Sequence, residues 1–209
     1  GLVITKYHHS QGPIGGMTIL EAGHPLSDEN GIRATAMAVA MGEALGEGDE
    51  LLFLVSGGGS ALFEKPLDGL DLKDIVAVNE QLLSSGASIL EMNTIRKRLS
   101  AVKAGRFARI VAPAKIFMVV LSDVIGDRLD VIASGPAAPD LSTAGDARQI
   151  LKKYDLTLPT AVEALLEEET PQEVDKVEAV VTGSVTTLCS AAAAHVAELG
   201  YPQHHPPAE

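Results

Sequence analysis

The sequence predicts an α/β fold with a doubly wound, mostly parallel sheet and helices on both faces. Segments 51–55, 116–121 and 177–181 are short apolar runs without polar alternation, as is typical of strands covered on both sides. Segments with helical periodicity lie between them, and strands that alternate with helices of this length form βαβ units. The 46% hydrophobic content is enough for a substantial core. A Rossmann-like arrangement follows.

Weaker signals complete the predicted order of elements. Segments 2–5 and 17–20 are less apolar strand candidates. Helical periodicity covers 31–45, 72–85, 89–107, 143–154, 161–168 and 185–199. Asp71 suits the N-cap of the second helix, and Gly86 suits the left-handed position that ends it. We therefore expect one α/β domain over residues 1–201. Residues 202–209, with two His and three Pro, are expected to be a disordered tail.

Composition narrows the classes of partner. The chain has 16 basic and 28 acidic residues and a net charge of −12, which disfavours nucleic acid and anionic membranes. Its apolar runs are shorter than the roughly 20 residues that span a bilayer, so a cytoplasmic protein is expected. The single Cys189 excludes an internal disulfide, and its apolar helical surroundings predict a buried thiol. A small anionic ligand and a homo-oligomer both remain compatible with the sequence.

A glycine-rich turn follows the first strong strand. It consists of Ser56, Gly57, Gly58, Gly59 and Ser60. Glycines tolerate positive φ, so their N–H groups can converge on an anion at the carboxyl end of a parallel strand. A plain βα turn explains the triplet equally well. The segment matches neither the dinucleotide fingerprint nor the Walker motif.

A basic cluster lies in the predicted helix 89–107. Its polar side would carry Asn93, Arg96, Lys97, Ser100 and Lys103, opposite an apolar stripe. Five basic residues fall within eleven positions: Arg96, Lys97, Arg98, Lys103 and Arg106. In an acidic chain this favours an anion site, and a solvated basic face is the alternative. On the first reading, removing one charge should cost about 1.5–3 kcal/mol of ligand binding with little effect on folding.

Three further segments carry possible ligands. Asp123 and Asp127 follow the strand 116–121, where carboxylates are well placed to hold Mg²⁺. Ser134 and Gly135 come next. Gly183 and Ser184 follow the last strand, where an N-cap is the commoner role. His24 precedes Pro25 and is a weak signal by itself.

Together these motifs resemble the class II glycerate kinases. The resemblance extends over most of the chain, through 21–28, 56–62, 93–106, 122–127 and 134–136. It corresponds to the N-terminal, MOFRL-associated α/β domain of that family. The family phosphorylates D-glycerate with ATP and Mg²⁺, and some members carry the name hydroxypyruvate reductase. The resemblance also implies an N-terminal segment with a functional lysine and a C-terminal domain, neither of which lies in these 209 residues, so part of the site is expected here.

The resemblance and the chemistry of phosphoryl transfer assign roles to the candidate residues. The loop of Ser56, Gly57, Gly58, Gly59 and Ser60 would take the ATP phosphates, assisted by Asn93, Lys103, Ser134, Gly135, Gly183 and Ser184. Arg96 and Lys97 would meet phosphate or the glycerate carboxylate, and His24 the substrate hydroxyl. Asp123 and Asp127 would hold Mg²⁺. Two alternatives stay open: an NAD(P)-dependent hydroxypyruvate reductase, and a catalytically silent module for nucleotide binding or oligomerisation.

Overall fold

The computed structural model describes residues 1–202. The predicted tail therefore lies outside the described residues from position 203 onward. The described part contains five strands: β1 (Leu2–Lys6), β2 (Thr18–Ala22), β3 (Glu50–Val55), β4 (Lys115–Leu121) and β5 (Val177–Gly183). Its eight α-helices are α1 (Glu29–Glu43), α2 (Gly59–Leu62), α3 (Leu72–Ser85), α4 (Ile89–Arg98), α5 (Arg106–Val111), α6 (Ala144–Lys153), α7 (Thr160–Leu166) and α8 (Val185–Glu198). A 3₁₀ turn spans Ile132–Ser134.

All the strands pair in parallel, so the α/β class predicted from the sequence is confirmed. β1 pairs with β2, and β4 lies between β3 and β5. The described strands therefore form two sheets. An apolar cavity of about 180 Å³ separates them, bordered by Leu2 and Ile4 of β1 and by Leu51 and Phe53 of β3.

One face of the larger sheet forms the first hydrophobic core. Ile116, Met118 and Val120 of β4 point into it and pack with Phe107 and Val111 of α5. The alternate residues face the other way and are exposed in the described structure: Leu52, Leu54, Phe117, Leu121 and Val180. We expected these strands to be covered on both faces. Within residues 1–202 this outer face is bare, although its residues are apolar enough for a buried position.

A second hydrophobic core lies among helices. It is built mainly from α3, α4, α6 and α7, and its members include Val78, Leu82, Ile95, Ile150 and Val162. Asp71 caps α3 through a capping box with Asp74, and Gly86 ends that helix at φ 76°, as predicted. The two cores thus divide the molecule into a sheet layer and a helical layer.

The predicted continuous helix over 89–107 is wrong. α4 ends at Arg98, and α5 begins at Arg106. Between them Ala104 and Gly105 both adopt positive φ, at 53° and 76°, which a helix cannot accommodate. The Arg106 guanidinium donates to the carbonyls of Lys97 and Ser100 at 2.8 and 2.7 Å and so holds the turn closed.

The last helix differs from expectation in its exposure. α8 has no buried residue, and Cys189 is exposed rather than buried. Its sequence is nevertheless apolar, with Leu188 and Leu199 at 70% and 60% exposure. None of the helices in residues 1–202 combines the length and the apolar character needed to cross a bilayer.

Candidate functional site

The glycine loop lies at the carboxyl end of β3, in close contact with two other predicted site segments. A Cβ added to Gly57 would lie 2.4 Å from Asp123 Oδ2, and one added to Gly58 would lie 3.1 Å from the His24 ring. Gly58 has a φ of 88°. Ser27, in the His24 loop, also donates from its Oγ to the Ala61 carbonyl at 2.9 Å. Only glycine permits this approach, so the loop, His24 and Asp123 form one site.

The loop also leaves backbone donors free. The N–H groups of Gly57, Gly58, Gly59 and Ser60 donate no hydrogen bond to any other group in residues 1–202. The amides that follow are paired, since Ala61 and Leu62 donate to the Gly58 carbonyl at 3.1 and 3.2 Å. Ser56 and Gly57 are exposed. Successive unpaired N–H groups in such a turn can bind an anion.

Ser134 and Gly135 brace the loop from the side. Ser134 Oγ lies 3.1 Å from Ser60 Oγ, and a Cβ on Gly59 would come within 2.7 Å of the Ala133 Cβ. The carbonyls of Ser134 and Gly135 accept hydrogen bonds from Ala104 and Gly105 at 3.1 and 2.7 Å. The segment therefore connects the loop to the turn after α4.

The two candidate metal ligands differ in their surroundings. Asp123 is exposed beside Gly57, whereas Asp127 Oδ1 is buried and has no hydrogen-bond partner in residues 1–202. A buried carboxylate oxygen without a partner is costly and fits a cation ligand. Described residues contain no preformed cluster of three or more metal-binding side chains. Any ion there would rely on the two aspartates and on ligand oxygens.

Gly183 and Ser184 lie next to the Asp123 loop. Ser122 donates its N–H to the Gly183 carbonyl at 2.8 Å, and Ser184 Oγ accepts from Thr187 N at 3.1 Å as the N-cap of α8. In these contacts Ser184 has the ordinary capping role.

The predicted basic face is divided by the structure into two groups. Lys103 is fully buried, and its ammonium donates to the Ser60 carbonyl at 2.8 Å and pairs with Glu64. Burial lowers the pKa of Lys103, against the opposing effect of the Glu64 charge. Arg96 is half-buried close by, and its guanidinium makes no hydrogen bond within residues 1–202. Burial likewise lowers the pKa of Arg96, and Glu64 opposes that effect too.

Lys97 belongs to the other group. Its ammonium lies 3.3 Å from Asp140 and 3.7 Å from Asp130, and only 5% of its side chain is exposed. Asn93 lines the same polar cavity of about 200 Å³, together with Arg128. No residue of the glycine loop lines that cavity. Helix α4 therefore places Arg96 in the neighbourhood of Glu64 and Lys103, and Asn93 with Lys97 at a separate polar cavity.

The remaining basic residues are structural. Arg98 is fully buried and donates to Ser142 Oγ and the Ser142 carbonyl, and it pairs with Asp140 at 3.6 Å. The alternative of a solvated basic face is wrong, because Lys97, Arg98 and Lys103 are all buried. Sequence reasoning missed their partners Glu64, Asp130 and Asp140, which lie more than 30 residues away along the chain. The available signal in the sequence was the place of Glu64, an acidic residue that follows apolar ones just after the motif 56–62.

Comparison with protein families matches residues 1–167 to the family described as Domain of unknown function, DUF4147. This chain belongs to that family. The chain is 51% identical over 201 residues to the D-glycerate 2-kinase of Thermotoga maritima, with 96% of this chain and 48% of that protein covered. It is 37% identical to the glycerate 2-kinase of Pyrococcus horikoshii in an alignment of 211 residues, with the same two shares covered. The predicted resemblance to glycerate kinases is confirmed.

Solved structures agree with the sequence relatives. The crystal structure of the Thermotoga maritima glycerate kinase superposes with a TM-score of 0.90, covering 96% of this chain and 49% of that one. A Pyrococcus horikoshii protein gives a TM-score of 0.86, with 96% and 48% covered. An Agrobacterium vitis relative, 45% identical over 82% of this chain and 40% of its own length, carries the name hydroxypyruvate reductase. The DUF4147 chain thus spans about half the length of the curated relatives it matches.

Proposed function

We propose that the protein to which this chain belongs transfers a phosphoryl group from ATP to D-glycerate with Mg²⁺, in the cytoplasm, and forms 2-phosphoglycerate. The observation that carries this proposal is the convergence of the glycine loop, Asp123 and His24 at the carboxyl end of β3. Four unpaired backbone N–H groups in that loop are suited to phosphate oxygens. Similarity to the two glycerate 2-kinases supports the choice of substrate.

Each residue's proposed part follows from its surroundings. The N–H groups of the loop would bind the phosphates of ATP, and Ser134 and Gly135 would keep the loop in place. Arg96 makes no side-chain hydrogen bond within residues 1–202 and is influenced by the charge of Glu64, which pairs with Lys103 behind the loop, so it would meet a phosphate or the glycerate carboxylate. His24 would orient the substrate hydroxyl. Positioning and charge neutralisation of this kind account for most of the catalysis in phosphoryl transfer.

Two of the predicted anion ligands act differently in this proposal. Lys103 is enclosed by Glu64 and the Ser60 carbonyl, so it would support the loop rather than touch phosphate. Lys97 is enclosed by Asp130 and Asp140, so with Asn93 it would shape the neighbouring polar cavity. Gly183 would support the Asp123 loop through Ser122, and Ser184 would cap α8 beside it.

Asp123 and Asp127 are the residues that would hold Mg²⁺. The unpartnered, buried Oδ1 of Asp127 and the exposed carboxylate of Asp123 beside Gly57 fit a hard cation with oxygen ligands. When bound, Mg²⁺ supplies charge neutralisation at the phosphates. We expect Asp123→Asn to weaken Mg²⁺-dependent nucleotide binding more than Asp127→Asn, because Asp123 directly contacts the loop.

The test is an assay of the protein with D-glycerate, ATP and Mg²⁺. Formation of ADP should depend on D-glycerate. Direct consumption of the product by enolase identifies 2-phosphoglycerate, since 3-phosphoglycerate needs a mutase first. Oxidation of NADH by hydroxypyruvate without ATP would establish the reductase instead. If calorimetry shows that the whole protein binds ATP but no turnover is found, the alternative of a catalytically silent nucleotide-binding module would hold.

A further inference from the structure

A buried carboxylate that sequence analysis did not single out lies directly behind the glycine loop. Glu64 follows α2, and its side chain is only 4% exposed. One oxygen, Oε2, pairs with the Lys103 ammonium. That ammonium also donates to the Ser60 carbonyl at 2.8 Å. Glu64 is therefore connected through one cation to the backbone of the proposed phosphate loop.

The other carboxylate oxygen adds a second observation. Glu64 Oε1 is buried and has no hydrogen-bond partner in residues 1–202. Burial lowers the pKa of Arg96, and the Glu64 charge partly opposes that effect. Glu64 is thus paired with one cation and influences a second, and one of its oxygens makes no hydrogen bond within residues 1–202.

Stability alone is a weak explanation for this arrangement. A buried ion pair pays a large desolvation penalty, and apolar replacements of similar volume are often at least as stable. An unpaired buried oxygen adds to that penalty. The contact that an apolar replacement could not reproduce is the hydrogen bond from Lys103 to the Ser60 carbonyl.

We propose that Glu64 is a positioning residue: it holds the Lys103 ammonium against the Ser60 carbonyl, so that the loop N–H groups stay turned toward the ligand. The link to phosphate rests on the proposed function, whereas the hold on the loop does not. Glu64 itself touches no ligand in this proposal, because both of its oxygens are buried.

The first experiment measures loop order without any ligand. Glu64→Gln keeps the shape and removes the charge, and Glu80→Gln, an exposed site on α3, is the matched control. Hydrogen exchange is followed at the amides of Ala61, Leu62 and Phe63, which donate to the Gly58 and Gly59 carbonyls. In Glu64→Gln, but not in the control, they should exchange at least about tenfold faster than in the wild type, the factor for losing a hydrogen bond to a charged group. Unchanged exchange at these amides overturns the proposal.

A double variant separates positioning from general stability. Glu64→Leu with Lys103→Met removes both charges, so unfolding resistance should recover relative to Glu64→Gln. Exchange at Ala61 to Phe63 should nevertheless stay fast, because the Ser60 carbonyl has lost its donor. Recovery of slow loop exchange would overturn the proposal. If Glu64→Gln does not fold, this variant alone decides by the same measurement.

The second experiment reads out the ligand site. ATP with Mg²⁺ is titrated into the whole protein by calorimetry, and the dissociation constant of Glu64→Gln should rise at least about tenfold over that of Glu80→Gln. Glu64 and Arg96 are the charged groups that influence Lys103, and without Glu64 only the unfavourable effects of burial and Arg96 remain. The affinity of Glu64→Gln should therefore fall at a lower pH than that of the wild type. If the wild type binds ATP and Glu64→Gln binds it with the same affinity and the same pH dependence, the inference about Glu64 is overturned and the proposed function is not. If the wild type does not bind ATP, the proposed function is overturned. The loop-exchange experiment then decides whether Glu64 positions the loop.

Discussion

At the residue scale, Lys97 shows how burial changes the meaning of a basic side chain. Its ammonium lies between Asp130 and Asp140, and almost none of it is exposed. Removing the charge of Lys97 takes one cation out of a buried network. Asp140 is then left with Arg98 alone, and Asp130 with Arg128 alone. The expectation that substitutions in this basic cluster hardly affect folding is therefore not sustained at Lys97.

We expect Lys97→Met to lower the free energy of unfolding by about 3–5 kcal/mol, the cost of removing one member of a buried pair. Urea denaturation at neutral pH measures it. Lys152→Met, on the exposed side of α6, is the control and should change stability by less than about 0.5 kcal/mol. A similar small change in both variants would contradict the buried network.

Arg96 should behave in the opposite way. Because its guanidinium makes no hydrogen bond within residues 1–202, Arg96→Met should weaken ATP or D-glycerate binding by about 1.5–3 kcal/mol. Its melting temperature should change little. Isothermal titration of the whole protein compares it with Arg109→Met, an exposed position on α5. If neither variant loses affinity for ATP or D-glycerate, Arg96 does not belong to the site.

At the scale of elements, the turn between α4 and α5 redirects the chain from one core to the other. Leu99 packs in the helical core, whereas Val102 packs in the core of the sheet. Gly105 is the N-cap of α5 at φ 76°, and a Cβ there would lie 2.8 Å from Val174 Cγ1 and 3.0 Å from the Ala138 carbonyl oxygen. Both the backbone conformation and the close packing therefore favour glycine at position 105.

Gly105→Ala should cost more than a left-handed glycine elsewhere. Gly86 has the same φ of 76° but open space around its Cβ position, so Gly86→Ala should cost only the backbone penalty of about 1–2 kcal/mol. Gly105→Ala should exceed it by a further ~1–3 kcal/mol, the range for overpacking. Chemical denaturation of the two variants side by side gives the difference. Equal losses would mean that the neighbours of Gly105 move aside freely.

The strands and most helices could be predicted because their signals are local. Apolar runs located the strong strands to within two residues, and the caps Asp71 and Gly86 located both ends of α3. The break from Leu99 to Gly105 could not be predicted, because residues 95, 99 and 102 keep helical spacing across it. What breaks the helix is packing against two different cores, which local periodicity does not contain.

At the scale of the whole molecule, the candidate site likewise has one part that could be predicted from the sequence and one part that could not. The loop, His24 and Asp123 could be proposed from the sequence because each follows or flanks a strand at the same edge of an α/β fold. The partners of the buried basic residues could not be proposed from the sequence. Glu64, Asp130 and Asp140 stand in segments with no ligand motif of their own, and only the fold brings them to Lys103 and Lys97.

Asp140 connects helix α4 to the segments that carry Ser142 and Thr170. It accepts from Thr170 Oγ1 at 2.7 Å and from Ser142 N at 3.1 Å, and it pairs with Lys97 and Arg98 of α4. Burial acts to raise the pKa of the Asp140 carboxyl, but the Lys97 charge and the hydrogen bonds from Ser142 and Thr170 outweigh it, so the pKa lies below its ordinary value. A carboxyl with a lowered pKa stabilises the fold above its unfolded-state pKa, near 3.8, and this stabilisation is lost as the pH falls through the folded-state value.

Asp140→Asn should therefore destabilise the protein in a pH-dependent way. At neutral pH the loss should be about 3–5 kcal/mol, because Lys97 and Arg98 lose a shared buried partner. The difference from the wild type should narrow as the pH falls below ~3.8, since Asp140 of the wild type is then protonated first in the unfolded state and, at still lower pH, in the folded state. Urea denaturation at pH 7 and in a series down to acid measures both, with the exposed Asp68→Asn as the control. A difference that stays constant across that range would mean that the charge of Asp140 is not what connects α4 to the segments of Ser142 and Thr170, and that its hydrogen bonds to those two residues are sufficient without it.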